Sequence, residues 1–291
     1  MTVFTSSLPS ITFPDGVMHA CVITDTDLIP LAEEDKPSWL LIDGYQFTTA
    51  QCKLFEKLSV RLAHIDDLGL PYEFTSKLLI SPVGESLRAK YSKLFPEAKL
   101  LIGLKYVLLR PGFQVQPSSY ESRKRVLVTY GGSDIAALSS KTISVLNQHG
   151  FCNIDLVLTA MMNLEGNIDA AKGLKVHYDL SDSQMADLMS NCSFAITAAG
   201  STMFELAAMG VPSIYVIVAD NQISGAKKMV DLGCGTSFML SGERFESQLG
   251  FHLSHFVNKD LLLMHEVCVN SVDCVGVNRV LDAMEALNEA F

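Results

Sequence analysis

One stretch of the chain, residues 194–214, constrains the fold more than any other, because it places a strand, a turn, a helix and a second strand in direct succession. Residues 194–197 form a short apolar run with β-branched side chains, which is typical of a covered parallel strand. Gly200 then allows a close approach of the backbone, and Ser201 and Thr202 place two hydroxyls at a helix start. The pattern predicts a parallel sheet covered by helices.

The start of this helix is a favourable place for a phosphate. Unpaired backbone N–H groups and the positive end of the helix dipole are found at such a start. Glu205 lies three residues after Thr202, so its side chain either closes a capping box with Thr202 or accepts a hydrogen bond from a ligand hydroxyl. The spacing alone favours the capping box, whereas the order of the surrounding elements favours the ligand.

Composition narrows the class of protein. The 291 residues are 48% hydrophobic, which suits one large or two medium α/β domains. No apolar run reaches the roughly 18 residues of a membrane span, and the first residues carry no secretion signal, so we expect a cytoplasmic protein with no membrane span. The seven scattered cysteines suit reduced thiols and show no metal-ligand spacing, so we expect neither a metal nor another cofactor.

Charge and motif content exclude several kinds of function. The net charge of −10 argues against a nucleic-acid partner, because binding DNA or RNA requires a basic stripe. A small phosphorylated ligand stays compatible with this charge, since backbone amides and helix ends hold phosphate by themselves. The sequence contains no G-x-S-x-G, H-E-x-x-H or Walker A loop, which disfavours hydrolase triads, zinc proteases and P-loop enzymes.

Strand and helix patterns alternate on both sides of a segment rich in Pro, Gly, Gln and Ser, residues 109–119. The alternation predicts an α/β protein of two doubly wound parallel-sheet domains, at residues 1–112 and 120–275, followed by a C-terminal helix at 276–291. The predicted strands are residues 18–23, 39–43, 60–65, 78–81, 99–103, 125–130, 153–158, 174–177, 194–197 and 213–218. The predicted helices are residues 48–58, 135–149, 183–189, 203–209, 225–232 and 278–290.

Two further loops of the second half follow predicted strands. Gly131, Gly132 and Ser133 either bring backbone amides against a phosphate or form a tight turn with a helix cap, and the neighbouring Gly200 loop favours the ligand. The Asp-Asn-Gln run at 220–222 would emerge at the same edge of the sheet, although ordinary loop chemistry also accounts for it.

Polar residues also follow strands of the N-terminal half. Asp43 and Tyr45 come after one strand, and Asp66 and Asp67 come after the strand that contains His64. We expect these groups to lie at the carboxyl edge of the sheet, where doubly wound proteins bind their ligands. A packed neutral histidine and turn-capping aspartates are the alternative interpretation.

The C-terminal half therefore carries an ordered set of motifs: Gly-Gly-Ser-Asp at 131–134, the stretch 193–205, Gly-Val-Pro at 210–212 and Asp-Asn-Gln at 220–222. This set resembles the nucleotide half of the GT-B superfamily, and within it the UDP-sugar hydrolases of the pseudaminic acid pathway (PseG/SpsG-like). A more distant likeness is to MurG-type glycosyltransferases. The segments 41–45, 65–67, 103–110 and 273–279 extend the likeness over most of the chain.

The resemblance implies a GT-B-like fold of two domains that face a cleft, and a site for a UDP-linked amino or deoxy sugar. Hydrolysis at the anomeric C–O bond would release UDP without a metal, in the synthesis of bacterial surface polysaccharide or nonulosonic acid. A glycosyltransferase with the same donor site is the alternative. The implied residues are Gly131, Gly132, Ser133, Gly200, Ser201 and Thr202 for phosphate, Glu205 for ribose, the region of Met185 for uracil, Asn221 and Gln222 for the sugar, and Tyr45 with Asp43 for catalysis.

The chain departs from that family at its N-terminal end. Members begin with a strand and a Gly-x-Gly-His-x-x-Arg loop, whose histidine is taken as the base that activates water. This chain has no such loop, and residues 3–9 match the family's second strand. We therefore expect an incomplete N-terminal domain that lacks one unit of on the order of 30 residues. A later start of the chain, a partner that supplies the segment, and an inactive nucleotide-sugar-binding remnant are the three explanations; His19 and His64 are the available substitutes.

Overall fold

A computed structural model describes residues 2–5, 18–21, 38–43, 57, 60–69, 76–131, 138–159, 173–241 and 244–289. The chain divides into two compact units, Met1–Ile102 and Gly103–Phe291. The division falls before Gly103, whereas the sequence placed it after residue 112. Residues 103–122 hold three short 3₁₀ turns and are part of the second unit.

The first unit contains a parallel sheet whose spatial order follows the chain. Its strands are β3 (Trp39–Asp43), β4 (Arg61–Ile65), β5 (Leu78–Ser81) and β6 (Lys99–Ile102), in the order β3-β4-β5-β6. Helix α1 (Arg88–Leu94) packs Tyr91 into a core with Leu62 and Leu79. Two further strands, β1 (Thr2–Thr5) and β2 (Met18–Cys21), pair in parallel with each other.

The second unit contains a six-stranded parallel sheet covered by helices. Its strands are β7 (Arg125–Thr129), β8 (Ile154–Leu158), β9 (Leu174–Tyr178), β10 (Cys192–Ala198), β11 (Ser213–Ile217) and β12 (Gly235–Met239). Its helices are α2 (Leu138–Gln148), α3 (Asp182–Ser190), α4 (Thr202–Ala208), α5 (Ile223–Leu232), α6 (Phe245–Phe256), α7 (Leu261–Ser271) and α8 (Gly276–Glu289).

The strand order of this sheet places a topological switch point between β7 and β10. The order is β9-β8-β7-β10-β11-β12, so the chain builds outward from β7 in one direction and then from β10 in the other. In register, Thr129 of β7 pairs with Thr197 of β10, and their carboxyl ends therefore meet at the same edge. Doubly wound proteins bind ligands in the crevice outside that edge.

The apolar core fixes this arrangement from both faces of the sheet. Strand β11 is buried along its whole length, as expected for a central parallel strand. The inward side chains of β7, β10 and β11 meet one face of α6, whose apolar residues recur every three to four positions. These residues are Val126, Val128, Ile196, Ile214, Val216, Phe245, Leu249, Leu253 and Phe256.

Most of the predicted elements are confirmed within one to three residues at their ends, including β10, α4 and β11 from the stretch 194–214. The sequence did not predict α1, β12, α6 or α7. The predicted helix at 48–58 falls almost entirely on residues that the structure does not describe. Helix α8 belongs to the second unit, where Arg279 Nη1 donates to the carbonyl of Lys105. Across the described ranges, every helix is too short or too polar to cross a membrane.

Candidate nucleotide site

Two glycines border open space at the switch point. Gly131 directly follows Tyr130 at the end of β7, and Gly200 follows Ala199 at the end of β10. A Cβ atom built on either glycine would meet no heavy atom of the described residues within 4 Å beyond the flanking residues. Gly131 has a φ of +76°, a conformation that favours glycine. Gly200 has no such conformation, so neither its backbone nor any of the described neighbours requires a glycine there.

A glycine packed inside the sheet differs from Gly131 and Gly200. A Cβ atom on Gly235 would lie 2.1 Å from the carbonyl oxygen of Ser213, so packing inside the sheet excludes any side chain at that position. At Gly200 the space belongs to no atom of the described chain. Among the described residues, the carboxyl ends of β7 and β10 therefore leave room beside their backbone.

Helix α4 begins beside this space. Ser201 is its N-cap residue, is exposed, and makes no capping hydrogen bond through its side chain. Thr202 is the first helical residue and is half-buried. The N–H of Met203 donates to the carbonyl of Gly200 at 3.1 Å, and the N–H of Phe204 donates to the carbonyl of Ser201 at 3.0 Å. The two hydroxyls are thus held at the switch point, as the sequence predicted.

Glu205, in the first turn of α4, is paired with Arg110. Arg110 Nε donates to Glu205 Oε1 at 2.9 Å, and Arg110 Nη1 donates to Oδ1 of Asp182 at 2.6 Å. Asp182 is the first residue of α3, so one guanidinium bridges the starts of two helices. The Glu205 side chain is only 11% exposed, whereas those of Arg110 and Asp182 are 45% and 40% exposed. Of the two alternatives for Glu205, the capping box with Thr202 does not form, because α4 starts one residue earlier than assumed and the carboxylate binds Arg110.

Opposing effects set the proton affinity of this group. Burial raises the pKa of Glu205, the hydrogen bond and charge of Arg110 lower it, and the charge of Asp182 raises it, with a net rise above the usual value. Burial lowers the pKa of Arg110, but the hydrogen bonds and charges of Glu205 and Asp182 raise it by more, so the net direction is upward. The guanidinium therefore stays charged and balances two carboxylates.

The remaining predicted residues of this unit lie around the same sheet edge. Asn221 and Gln222 are half-buried in a 3₁₀ turn, Asp220–Gln222, which follows β11. Gln222 Oε1 accepts a hydrogen bond from the N–H of Val218 at 2.9 Å, so this side chain also shapes its own loop. Met185 is buried on the inner face of α3, whose start is capped by a complete capping box between Ser181 and Gln184. Gly132 and Ser133 lie outside the described residues.

The carboxyl edge of the first unit's sheet has a different chemistry. Asp43 ends β3, Asp66 and Asp67 follow β4, and Ser81 ends β5. Ser81 Oγ donates to Asp67 Oδ1 at 3.3 Å. Burial, then the charge of Asp66, and to a smaller extent that of Asp43, raise the pKa of Asp67 to about 6, against the hydrogen bond from Ser81. Burial likewise raises the pKa of Asp43.

The remaining candidates of the N-terminal half are Tyr45, His19 and His64. Tyr45 lies outside the described residues, as does the side chain of His19. His64 is buried in β4 beside the ring of Phe95, and burial lowers its pKa against the charge of Asp66, which fits the expected neutral histidine. The described residues contain no group of three or more His, Cys, Asp or Glu side chains that could hold a metal ion.

Sequence reasoning missed Arg110 and Asp182. Arg110 fell in the segment interpreted as a linker, and Asp182 stood unremarked after the capping residue Ser181. The only available signal was indirect: a glutamate on a helix between two buried strands requires a positive partner. Nothing local in the sequence identifies that partner, because Arg110 precedes Glu205 by 95 residues.

Comparison with known proteins supports the fold. Residues 125–260 match the family model of the glycosyltransferase family 28 C-terminal domain. Among solved structures, S. aureus MnaA in complex with UDP has a TM-score of 0.65 at 13% identity over 92% of this chain and 80% of that one. MurG of Acinetobacter baumannii has a TM-score of 0.58 at 16% identity over 90% of this chain and 77% of that one. The fold is of the α/β, GT-B type, and its second unit resembles the family 28 C-terminal domain.

Curated relatives are more distant in sequence. An uncharacterized protein of Methanocaldococcus jannaschii is 26% identical over 68% of this chain and 44% of its own length. The spore coat polysaccharide biosynthesis protein SpsG of Bacillus subtilis is 25% identical over 64% of this chain and 58% of its own length. The Helicobacter pylori pseudaminic acid cytidylyltransferase and UDP-2,4-diacetamido-2,4,6-trideoxy-β-L-altropyranose hydrolase is 31% identical over 38% of this chain and 20% of its own length. The chain thus spans about half the length, or less, of the relatives it matches.

Proposed function

We propose that the chain binds a UDP-linked amino or deoxy sugar at the carboxyl edge of β7 and β10 and hydrolyses its anomeric C–O bond. The observation that carries the binding proposal is the open space at Gly131 and Gly200, next to the start of α4 and the buried Glu205. Backbone N–H groups and hydroxyls favour a diphosphate, and a buried carboxylate favours hydroxyl donors. A nucleoside diphosphate carries both.

Each part of the ligand has a proposed place. Ser201, Thr202 and the N–H groups of α4 would hold the diphosphate, with Gly131, Gly132 and Ser133 against its other side. The ribose hydroxyls would donate to Glu205, whose Oε1 already accepts from Arg110, so its Oε2 is the oxygen offered to them. The start of α3, near Met185, would border the uracil. Asn221 and Gln222 would contact the sugar.

The reaction would be a displacement at the anomeric carbon. A water oxygen forms the new bond to C1, the bond from C1 to the diphosphate oxygen breaks, and the electron pair leaves with UDP. The proton lost by the water passes to a carboxylate, for which Asp43, with its raised pKa, is the proposed residue, together with Tyr45. Donors fixed at the leaving diphosphate stabilise charge that grows in the transition state, which is electrostatic catalysis.

Names of related proteins support a role in the synthesis of bacterial surface polysaccharide or nonulosonic acid. SpsG is named for spore coat polysaccharide biosynthesis, and the Helicobacter pylori protein is named for the hydrolysis of a UDP-linked diacetamido sugar. S. aureus MnaA was solved with UDP. We propose the same class of donor for this chain, in the cytoplasm.

A glycosyltransferase is the second candidate function. The match of residues 125–260 to a glycosyltransferase family 28 domain favours it, as does the fold likeness to MurG. A transferase would use the same donor site and replace water with the hydroxyl of a sugar acceptor. The two functions differ in one observable, the requirement for the acceptor.

Release of UDP from UDP-amino sugars, assayed with and without sugar acceptors, tests the proposal. Release without an acceptor is the result we expect. Release only with an acceptor would replace hydrolysis by transfer, and UDP binding with no release under either condition would leave a nucleotide-sugar-binding protein.

The catalytic assignment has its own test. Asp43→Asn is expected to reduce the rate of UDP release by at least about a hundredfold, in the range of general acid–base contributions, while UDP still binds. Asp187→Asn, which makes the same change on the exposed face of α3, is the matched control and should keep the wild-type rate. Equal rates for wild type and Asp43→Asn would remove Asp43 from the mechanism.

A further inference from the structure

We propose that Arg110 is a positioning residue of the nucleotide site, which fixes the Glu205 carboxylate and balances its charge so that the carboxylate can accept the ribose hydroxyls. The inference rests on the proposed function and assigns to the segment before β7 a part in selecting ribonucleotides. Arg110 reaches this place from outside the stretch 194–214 and outside the matched residues 125–260.

The geometry leaves the guanidinium little freedom. Its Nε donates to Glu205 and its Nη1 donates to Asp182, so two different edges of the planar group are anchored. The ring of Phe113 lies 5.1 Å from the guanidinium carbon, within the range of a cation–π contact. A lysine could supply the charge but could not make the same forked contact with two carboxylates.

The backbone of this segment is built for close approach to α3. A Cβ atom on Gly112 would lie 2.6 Å from the carbonyl carbon of Asp182 and 2.7 Å from the nitrogen of Ser183, so only a glycine fits. The turn Pro111–Phe113 therefore packs directly on the first turn of α3. This contact places Arg110 at the gap between the starts of α3 and α4.

Arg110 also favours the ionised form of Glu205. Burial and the charge of Asp182 raise the pKa of Glu205, whereas the hydrogen bond and the charge of Arg110 lower it. Two other basic side chains contact the opposite end of α4. Arg123 donates to the carbonyls of Met209 and Gly210, and His265 contacts the carbonyl of Gly210. Without Arg110 the pKa of Glu205 would rise further, and the protonated carboxyl would be a poorer acceptor for two hydroxyls.

Removing Arg110 should make UDP binding more dependent on pH. In the wild type, Arg110 favours the ionised form of Glu205, so UDP affinity should fall toward pH 6 only as far as that of the dideoxy compound, whose terminal phosphate takes up the same proton. In Arg110→Met, Glu205 takes up a proton as the pH falls, so affinity should decline toward pH 6 and recover in part at pH 8.5. A purely structural role for Arg110 would weaken binding equally at both values.

Calorimetric titration with UDP and with 2′,3′-dideoxyuridine diphosphate, at pH 6 and 8.5, tests the inference. For Arg110→Met we expect at least a tenfold loss of UDP affinity at pH 6, a smaller loss at pH 8.5, and less than a twofold change for the dideoxy compound. The UDP affinity of Arg110→Lys should lie between those of the wild type and Arg110→Met. Arg88→Met, which removes an exposed positive charge from α1, is the matched control and should bind as wild type.

Three results would overturn the inference while the proposed function stands. These are wild-type UDP affinity in Arg110→Met at both pH values, an equal loss for both ligands, and a loss that does not depend on pH. Wild-type protein that fails to bind UDP would overturn the proposed function and the inference together. If Arg110→Met does not fold, Arg110→Lys decides, because its loss must still be confined to UDP and larger at pH 6.

Discussion

The carboxyl edges of the two parallel sheets handle buried charge in opposite ways. At the edge of β7 and β10, the carboxylates of Glu205 and Asp182 share the guanidinium of Arg110, and two glycines leave open space beside them. At the edge of β3, β4 and β5, Asp66 and Asp43 lie close enough to Asp67 that their charges raise its pKa. We propose that the first edge holds an anion and hydroxyls and that the second binds or releases a proton.

The difference shows how one architecture supports two kinds of chemistry. Both edges are formed by parallel strands that end in loops, so position alone does not separate them. What separates them is the residue set: small and hydroxyl side chains with a paired carboxylate on one edge, and neighbouring carboxylates on the other. A donor site needs the first, and acid–base catalysis needs the second.

The largest expected effect tests whether the second unit depends on paired charge. Asp155 is buried in β8, where Arg125 holds it through both Nε and Nη2. Arg125→Met leaves the carboxylate with His177, and we expect a loss of about 3–5 kcal/mol in the free energy of unfolding, measured by urea denaturation with circular dichroism. The double variant with Asp155→Leu should recover most of the loss. A loss below about 1 kcal/mol in the single variant would show that pairing matters little there.

The second effect tests the packing at the sheet edge of the first unit. A Cβ atom on Gly84 would lie 2.2 Å from Ser81 Oγ and 2.9 Å from the ring of Tyr91, so Gly84→Ala should destabilise the first unit by up to about 3 kcal/mol. The single tryptophan of the chain, Trp39, lies in β3, and its fluorescence reports on this unit. An unchanged Trp39 unfolding midpoint would contradict the packed description of this edge.

The third effect tests the proton chemistry of the first edge. Because the pKa of Asp67 is raised to about 6, the folded state binds this proton more tightly than the unfolded chain, and stability falls as the pH rises from about 4 through about 6. Asp67→Asn, which still accepts from Ser81, should therefore stabilise the first unit by about 2 kcal/mol at pH 7.5 and change nothing near pH 3.5. Trp39 fluorescence in urea at the two pH values measures this; equal stability of both proteins at pH 7.5 would contradict it.

The smallest effect separates the two edges by ligand binding. Glu205→Gln keeps the shape of the side chain but loses its charge, and we expect about a tenfold loss of UDP affinity, since a hydrogen bond to a charged group is worth roughly 1.5–3 kcal/mol. Glu246→Gln, in the exposed first turn of α6, is the matched control. Asp67→Asn should leave UDP affinity unchanged, and a parallel loss in that variant would abolish the division of roles between the edges.

Local sequence patterns predicted the parts of the fold that depend on neighbours in the chain. The stretch 194–214 gave β10, α4 and β11 correctly, because its apolar runs and glycines act within a few residues. Strand β12 escaped prediction because it begins with a glycine and places Thr236 and Ser237 in its middle. Helices α6 and α7 were missed although Phe245, Leu249, Leu253 and Phe256 keep a helical period.

In the candidate site, too, the sequence predicted only what depends on neighbours in the chain. The helix start at Ser201 and Thr202, after Gly200, was predicted, because a helix start after a strand is a local pattern. The role of Glu205 was left between two alternatives, and its partner Arg110 was missed, because only the folded chain brings together residues 95 positions apart. The raised pKa of Asp67 was equally beyond reach, since it depends on burial and on Asp43 of another strand.

The central claim is that the open edge at Gly131 and Gly200 holds a nucleoside diphosphate, and a titration of UDP into wild type and Gly200→Ala tests it most directly. A methyl group at Gly200 meets no atom of the described chain, so the variant should fold with an unchanged unfolding midpoint, yet the methyl would occupy the space that we propose for the phosphates. We predict UDP binding by the wild type and at least a tenfold weaker affinity in Gly200→Ala. Equal affinity in both proteins, or no binding by the wild type, would contradict the claim.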